Sequence, residues 1–430
     1  MFRHFTLSVS FLLMLAGTGL AADNRPDSAK VGAVLSGALA EANAAWWGFD
    51  PADATPAVQQ AIDSGARRVV VPYMGEPWVV RPLRLRGGLE LVLEPGVVLL
   101  AKAGEYLGTG DSMLTAVDLE DITIIAHGAV MRMRKADYTR PPYKKAEWRM
   151  VLDMQGCRRV RLEGGRYEGS GGDGIYVGAS AKLPRCEDVV IRDVACHDNH
   201  RQGISVISAR NLLIERCVFS GTGGTAPEAG IDLEPNSENE CLENVVVRRC
   251  RMEGNEGAGI LLYLKNLKKT GAPVSIRFED CHVAGGKDVG IGVGALCDDG
   301  VAGTVEFIRC TVEKTKGGAV YLYDKSPEAA LVRFENCSFN TREMSKGADF
   351  APLRFHIRRT SIAKDIGGVE FSACHVYDDG KRPALLVEME KGKKGAAKNI
   401  TGNIYLHNSI GSPEKYEMPR ENCGSMVQPF

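Results

Sequence analysis

Short apolar stretches recur along this chain in two interleaved series. One series reads GIYVG, GISVI, GIDLE, GILLY, GIGVG and AVYLY, and its members begin 27 to 31 residues apart. The second series lies between them and contains a cysteine in each member, as in DVVIRDVAC, NLLIERCVF and NVVVRRCRM. Apolar and polar residues alternate in both series, and Gly, Asn and Asp separate the segments, which predicts short β-strands. Such a repeat predicts a solenoid with two to three strands per turn, a parallel β-helix.

The cysteines follow the same repeat. Seven of the 12 occupy one place in successive repeats, at intervals of 21 to 37 residues. They are Cys196, Cys217, Cys250, Cys281, Cys310, Cys337 and Cys374. A cysteine at a fixed place in each coil is expected to act as a small buried hydrophobic residue. No CxxC pair occurs, so no zinc or redox site is predicted. A disulfide stays open for Cys241, Cys297 and Cys423, which lie outside the repeated phrase.

The alternation also predicts which side chains face away from the core. Ile231 and Leu233 are expected to point inward. Asp232 and Glu234 would then face outward, side by side on one strand. Neighbouring coils lie about 4.8 Å apart, so outward residues that are distant in sequence line up on one face. Over four adjacent coils, the outward residues and those in the turns before them are Asp173, Tyr176, His200, Arg201, Gln202, Ser205, Asp232, Glu234, Tyr263 and Lys265.

Composition and the N-terminus restrict where the protein acts. The chain has 430 residues, of which 44% are apolar and 25% charged, and its net charge of -1 gives no signal for nucleic acid or membrane binding. Residues 1–22 combine a basic start, a short apolar run and small residues, which predicts a secretory signal peptide and a periplasmic or extracellular protein. The expected organisation is a single domain over 23–430, with a cap at about 45–66, main coils at about 67–375 and a less regular part at 376–430.

A helix is expected to close the first end of the solenoid. In DATPAVQQAIDSGARRVVV, Thr55 suits the N-cap, Pro56 the first helical position and Gly65 the stop. One face of this helix is apolar and would cover the core of the first coil, which would otherwise be exposed.

These features resemble the right-handed parallel β-helix proteins of the pectate-lyase-like superfamily, over nearly the whole mature chain. The resemblance implies an all-β solenoid with an N-terminal capping helix, a monomer, and a polysaccharide, acidic or neutral, as the partner. It does not fix the reaction, because this fold hosts lyases, hydrolases, epimerases, esterases and binding proteins.

Hydrolysis of a glycosidic bond is the first chemistry that the outward face could perform. It needs two carboxyl groups, and a gap of roughly 6.5–9.5 Å suits inversion. Residues i and i+2 of a strand lie about 6.5–7 Å apart, so Asp232 and Glu234 are the predicted acid and base, with Asp173 as a third member. The repulsion between like charges would raise one pKa, as a general acid requires. The chain departs from polygalacturonases in having no Gly-His-Gly and no Arg-Ile-Lys run.

Elimination from a uronate, or C5 epimerisation, is the alternative. Lys265, His200 or Tyr263 would act as the base. Arg201 would neutralise the substrate carboxylate. No cofactor is required by the sequence, but a lyase could use Ca²⁺ on Asp173 and the Asp232–Glu234 pair.

Substrate binding is expected from residues around these groups. Arg201 and Lys265 would bind negative charge, and Tyr176, Tyr263, Asp173, Gln202 and Trp148 would contact the sugar. The loop 137–149 would form a wall of the groove, with Tyr138, Tyr143 and Trp148 for stacking on sugar rings and Arg140, Lys144, Lys145 and Arg149 for anionic groups.

Plainer interpretations stay open. Asp232 and Glu234 could be solvated and paired with Lys265 and Arg201, Asp173 could only shape a turn, and the basic loop could only aid solubility. A non-catalytic carbohydrate-binding β-helix would show exposed aromatics without converging acids and bases. Because titratable groups are concentrated on four coils, the sequence favours an enzyme.

Overall fold

The computed structural model describes residues 24–345, 351–358, 363–408 and 410–429. These residues form a parallel β-helix, as predicted, because strands of successive coils pair in parallel along three ladders. The predicted signal peptide, 1–22, lies outside the described residues and stays a prediction. Within the described ranges, no helix has both the length and the apolar character needed to cross a bilayer.

One ladder has 12 strands, one from each coil that it crosses, and we call it the site sheet because the predicted site residues lie on or beside it. Its strands are Leu83–Arg84, Leu114–Val117, Leu152–Gln155, Ile175–Gly178, Ile204–Val206, Ile231–Leu233, Ile260–Tyr263, Ile291–Leu296, Val320–Lys325, Leu353–Ile357, Leu385–Met389 and Glu414–Tyr416.

The other two ladders form the remaining faces and meet in two long strands, Ile366–Tyr377 and Ala397–His407, which pair in both. The first also contains Glu41–Asn43, Arg68–Val71, Glu90–Leu93, Glu120–Ile125, Arg158–Glu163, Cys186–Arg192, Ala209–Glu215, Leu242–Arg248, Val274–Glu279, Gly303–Ile308, Leu331–Glu335 and Arg420–Cys423. The second also contains Trp78–Val80, Val98–Ala101, Val130–Arg132, Arg166–Glu168, Ala195–His197, Val218–Ser220, Arg251–Glu253, His282–Ala284, Thr311–Glu313, Ser338–Asn340 and Val427–Pro429.

The apolar alternation fixes the register of the site sheet. Its predicted inward residues are all fully buried, and they are Ile175, Val177, Ile204, Val206, Ile231, Leu233, Ile260, Leu262, Ile291 and Val293. The outward residues also pair across coils, as Tyr176 with Ser205, Ser205 with Asp232, and Asp232 with Leu261. The interior is thus filled by aligned apolar residues, and the outward positions are free to carry other groups.

The cysteines behave as core residues, as predicted. All twelve are free, and all but Cys423 are buried. Successive cysteines of the ladder lie close together: the backbone N–H of Cys217 donates to Sγ of Cys250 over 3.4 Å. The disulfide left open for Cys241, Cys297 and Cys423 does not form.

The predicted capping helix is present as Thr55–Asp63, and Gly65 follows it at φ +86°. Thr55 is its first helical residue and not its N-cap, which is Ala54. The Thr55 hydroxyl instead donates to Oδ1 of Asp53 over 2.5 Å. Three helices were not predicted: the α-helix Ser28–Leu35 and the short 3₁₀ helices Ala44–Trp47 and Asp137–Thr139.

Candidate active site

Three carboxyl groups and one guanidinium converge beside the middle of the site sheet. They belong to Asp173, Arg201, Asp232 and Glu234, and we call them the acid cluster. Arg201 Nη2 lies 3.5 Å from Glu234 Oε2, and its Nη1 lies 4.0 Å from Asp173 Oδ2. One guanidinium therefore pairs with carboxylates from two different coils, and four of the predicted site residues come together.

Asp232 is not exposed to solvent, contrary to the sequence prediction. Its side chain points away from the core, as expected, yet it is completely buried. Burial raises its pKa well above the usual range, the negative charge of Glu234 raises it further, and Arg201 opposes the shift. The like-charge effect that the sequence suggested is thus present but comes second to burial. The Asp232 and Glu234 carboxyls also lie within hydrogen-bonding reach of each other, closer than the gap of roughly 6.5–9.5 Å that suits inversion, so the predicted spacing was wrong. This environment favours the protonated carboxyl that a general acid requires.

Gln202 holds Asp232 in place. Its Nε2 donates to Asp232 Oδ2 over 2.7 Å, and its Oε1 accepts from the backbone N–H of Ala229 over 2.7 Å. Gln202 is itself fully buried. The predicted substrate contact through Gln202 is therefore replaced by a positioning role, because both ends of its amide are already used.

Asp173 also lies in the interior, in the turn before its strand, and is fully buried. Burial raises its pKa to about 7, and the Arg201 guanidinium opposes this shift. The Ser205 hydroxyl and the Gln202 backbone N–H lie close to its carboxyl and also oppose the shift, but among the described residues no donor meets either oxygen in good hydrogen-bond geometry. Incompletely paired buried polar groups cost roughly 1–3 kcal/mol each. Two such carboxyl groups in one cluster, Asp173 and Asp232, indicate a functional site, since most buried polar groups in proteins are well paired.

The loop 137–149 packs beside this cluster, where the sequence placed it. It lines a cavity of about 740 Å³ together with His200 and Thr225. Trp148 is 53% exposed at this cavity, so its ring is accessible for stacking. Thr225 Oγ1 lies 2.9 Å from Nε2 of His200, and burial lowers the pKa of that imidazole.

Two residues of this loop do not fit their predicted role. Tyr138 is 4% exposed, and Arg149 is fully buried. Arg149 donates through Nε to the carbonyl oxygen of Tyr106 over 2.9 Å and through Nη2 to that of Lys144 over 2.7 Å. Both side chains therefore support the loop, and neither is presented to a ligand.

Three other predicted residues lie outside the acid cluster. Lys265 is exposed in the turn after its strand, and among the described residues no acidic group lies within ion-pair distance of it. Tyr176 is half-buried with its ring over Gly178, where an added Cβ would lie 2.6 Å from Cε1 of the tyrosine. Tyr263 is half-buried on the coil that follows Asp232. Within the described part of the chain, the ion pair with Lys265 that the plainer interpretation required is therefore absent, and the role of Lys265 toward a substrate stays a prediction.

The sequence analysis missed several residues on the same face. Asp153 pairs in register with Tyr176, and burial raises its pKa, whereas the Gln155 amide opposes the shift. Tyr321 and Tyr323 occupy outward positions of the phrase AVYLY, further along the sheet. All three occupy outward positions of the repeat and could have been found from that position. The sequence analysis took its site residues from only four adjacent coils.

The carboxylates do not fit Ca²⁺. Within the part of the chain that the structure describes, no group of three or more His, Cys, Asp or Glu side chains is arranged to hold a metal ion. The positive charge among Asp173, Asp232 and Glu234 is supplied by Arg201. No step is therefore assigned to a metal.

Comparisons with known proteins agree with this architecture. The family model described as "Right handed beta helix region" matches residues 152–299. No curated protein matches the chain in sequence. Among solved structures, a hyperthermoactive exopolygalacturonase from Thermotoga maritima is similar, with a TM-score of 0.57, 13% identity, and coverage of 84% of this chain and 91% of that chain.

Two further solved structures are similar. The A-module of the mannuronan C-5 epimerase AlgE4 from Azotobacter vinelandii has a TM-score of 0.58 and 12% identity, with coverage of 90% of this chain and 99% of that chain. The tailspike protein of E. coli bacteriophage HK620, in complex with a pentasaccharide, has a TM-score of 0.58 and 13% identity, with coverage of 86% and 71%. At this identity the likeness concerns the fold alone, and the chain has a right-handed parallel β-helix fold.

Proposed function

We propose that this protein is a carbohydrate-active enzyme that cleaves glycosidic bonds of a polysaccharide by hydrolysis. The observation that carries the proposal is the pairing of a buried, proton-favouring carboxyl, Asp232, with a second carboxyl, Glu234, that is 29% exposed and ion-paired with Arg201. Glycoside hydrolysis needs two carboxyl groups whose environments differ in this way. The similar solved structures support this class of substrate, because they include an exopolygalacturonase and a protein bound to an oligosaccharide.

In the proposed reaction, Asp232 gives its proton to the glycosidic oxygen as the bond to the anomeric carbon breaks. Water adds to that carbon, and Glu234 accepts the proton that the water loses. Gln202 holds the Asp232 carboxyl over 2.7 Å, and Arg201 orients Glu234. Trp148 offers an exposed ring for stacking on a sugar.

Elimination from a uronate is the second candidate, and His200 is the observation that favours it. Burial lowers the pKa of this imidazole, so it is neutral and able to accept a proton at neutral pH. It lies in the cavity beside Trp148, adjoining the acid cluster. Lys265 and Tyr263, the other bases considered, have no comparable enclosure.

A product assay on neutral, uronic and sulfated polysaccharides tests both candidates. Each digest is read for new reducing ends and for the ultraviolet absorbance of an unsaturated uronate. Reducing ends alone support hydrolysis, and both signals together support elimination and reject the hydrolase. If neither signal forms while a polysaccharide binds, the cleaving enzyme is rejected in favour of an epimerase or a binding protein. The predicted export and the monomeric state stay predictions.

A further inference from the structure

A second group of aromatic and charged side chains lies on the site sheet beyond the acid cluster. Its members are Tyr321 and Tyr323 on one strand, with Arg354 and Arg358 from the next coil, and we call it the downstream patch. The register Asp232–Leu261–Gly292–Tyr321 places it three strands from Asp232. Three strand spacings are about 14 Å.

A glycine brings the patch closer to the cluster. A Cβ on Gly294 would lie 2.2 Å from Cε2 and Cζ of Tyr323, so the ring lies over the preceding strand. The ring therefore lies only two strand spacings, about 10 Å, from the strand that carries Asp232. Burial raises the pKa of the Tyr323 phenol, and the charges of Tyr263 and Asp232 contribute to the shift. The two strands between the sites carry Leu261 and Tyr263 and then Gly292 and Gly294, with the Leu261 side chain over Gly292 and the Tyr323 ring over Gly294.

Arg358 is fixed against this ring with its outer nitrogens available. Its guanidinium carbon lies 4.0 Å from the centroid of the Tyr323 ring. Asp324, which is buried, accepts from the backbone N–H of Arg358 over 2.9 Å and from its Nε over 2.7 Å. Among the described residues Nη1 and Nη2 have no hydrogen-bond partner, and the side chain is 37% exposed. A guanidinium held by Nε in this way presents a planar pair of donors that matches a carboxylate or sulfate group.

The second pair repeats the arrangement. Arg354 lies 5.3 Å from the centroid of the Tyr321 ring and is ion-paired through Nε with Glu388. The two tyrosine rings are 5.1 Å apart, and the Tyr321 hydroxyl lies 3.0 Å from Nδ1 of His356. In both pairs an aromatic ring and an acidic side chain orient a guanidinium, and Arg358 keeps its outer nitrogens available for an anionic group.

We propose that the downstream patch binds an acidic sugar unit of the same glycan whose bond lies at the acid cluster. Arg358 would take the carboxylate or sulfate group, and Tyr323, which is 8% exposed, would hold the guanidinium in place. This inference rests on the proposed function for the position of the scissile bond, but its test is a binding measurement that does not require cleavage.

The test is calorimetric titration of an Asp232→Asn chain with three kinds of oligosaccharide: oligouronates, sulfated carrageenan oligosaccharides and neutral dextran oligosaccharides. Arg358→Gln is expected to weaken binding of the acidic probes roughly tenfold or more, since it removes a charged hydrogen-bonding group. Binding of neutral probes should stay within twofold. Comparison of the two acidic probes tells carboxylate from sulfate recognition.

Two further variants separate the ring from the charge. Tyr323→Ala should weaken binding of the acidic probes, whereas Tyr323→Phe should retain it, because the ring and not the hydroxyl supports the Arg358 guanidinium. Arg358→Lys keeps the charge, loses the planar donor pair and tests the proposal if the glutamine variant does not fold. The matched control is Arg309→Gln, since Arg309 is bound to Asp280 in a similar way on another face.

The proposal is overturned if Arg358→Gln leaves the affinity for both acidic probes within twofold, or if neither acidic probe binds the parent chain. Failure of the proposed function looks different: acidic probes would bind in an Arg358-dependent manner while the wild-type enzyme released no product. Cleavage that proceeds with unchanged KM in Arg358→Gln would reject the patch and keep the enzyme.

Discussion

Two faces of the same solenoid use charged residues in opposite ways. On the ladder that contains Ala209–Glu215, Arg210 lies 3.4 Å from Glu187 and 2.8 Å from Glu243, so charges of alternating sign from three coils pair near the surface. At the site sheet, Asp173 and Asp232 are fully buried, and burial raises the pKa of both carboxyl groups even though Arg201 lies beside them. Both faces come from the same repeat.

The difference teaches what a charge does in this fold. A half-exposed charge between two opposite charges keeps its usual ionisation, fixes the register of neighbouring coils and contributes little free energy. A buried carboxyl without full pairing destabilises the fold and has a raised pKa. Such residues are candidates for chemistry.

The largest effect is expected on turnover, when a buried carboxyl of the site sheet is replaced. Asp232→Asn should lower kcat roughly 10²–10⁴-fold, since a general acid is lost, while the Gln202 amide can still donate to the new side chain. Steady-state kinetics and a thermal melt measure this. Glu243→Gln on the outer ladder is the matched control and should keep full activity. Undiminished kcat in Asp232→Asn would move the site elsewhere.

A smaller effect is expected on stability at Asp173, whose pKa is about 7 in the folded protein against an ordinary 3.8. The folded state then holds a proton that the unfolded state releases, so the stabilisation is complete below about pH 3.8 and is lost as the pH rises to 7. Asp173→Asn should therefore gain roughly 2–4 kcal/mol relative to wild type between pH 4 and pH 8. Urea unfolding at both pH values measures the gain, and a pH-independent difference would contradict it.

Lys325 offers a similar test, with stability that rises with pH where that of Asp173 falls. It is completely buried, Nζ donates to the carbonyl oxygen of Ser326 over 2.9 Å and to no other described residue, and burial lowers its pKa to about 7 from an ordinary 10.5. Wild-type stability should rise between pH 7 and 10.5, since only the unfolded state is protonated there.

Lys325→Met should consequently stabilise the protein by roughly 2–4 kcal/mol at pH 7 and by much less at pH 10. Urea unfolding midpoints of the wild type and of Lys325→Met at the two pH values measure this gain. A gain that is larger at pH 10 than at pH 7 would mean that the amine is charged in the folded protein.

The smallest effect is expected on the outer ladder. Arg210→Gln breaks two ion pairs whose side chains are between 23% and 34% exposed, so unfolding should change by less than about 1 kcal/mol and should depend on salt. Urea unfolding at low and high ionic strength checks this. A loss of several kcal/mol would show that the two faces do not differ as described.

Much of the fold could be predicted because it depends on local periods. Inward residues such as Ile231 follow from the alternation of two, and the stacking of Cys217 on Cys250 follows from the coil repeat. The convergence of Asp173, Arg201 and Asp232 followed from the same two periods. The N-cap at Thr55 was misplaced by one residue, because the Thr55 hydroxyl is bound to Asp53 instead.

The sequence by itself determined the solenoid, the face on which the acidic groups meet and the place of the loop 137–149 beside them. Only the tertiary structure decided that Asp232 and Asp173 are buried, that Gln202 is used by Asp232, and that Tyr323 lies over Gly294. The alternation of apolar and polar residues predicts to which side of its own strand a side chain points. Burial, pKa and ring orientation depend on what neighbouring coils and loops place above it, and those contacts join residues far apart in the chain.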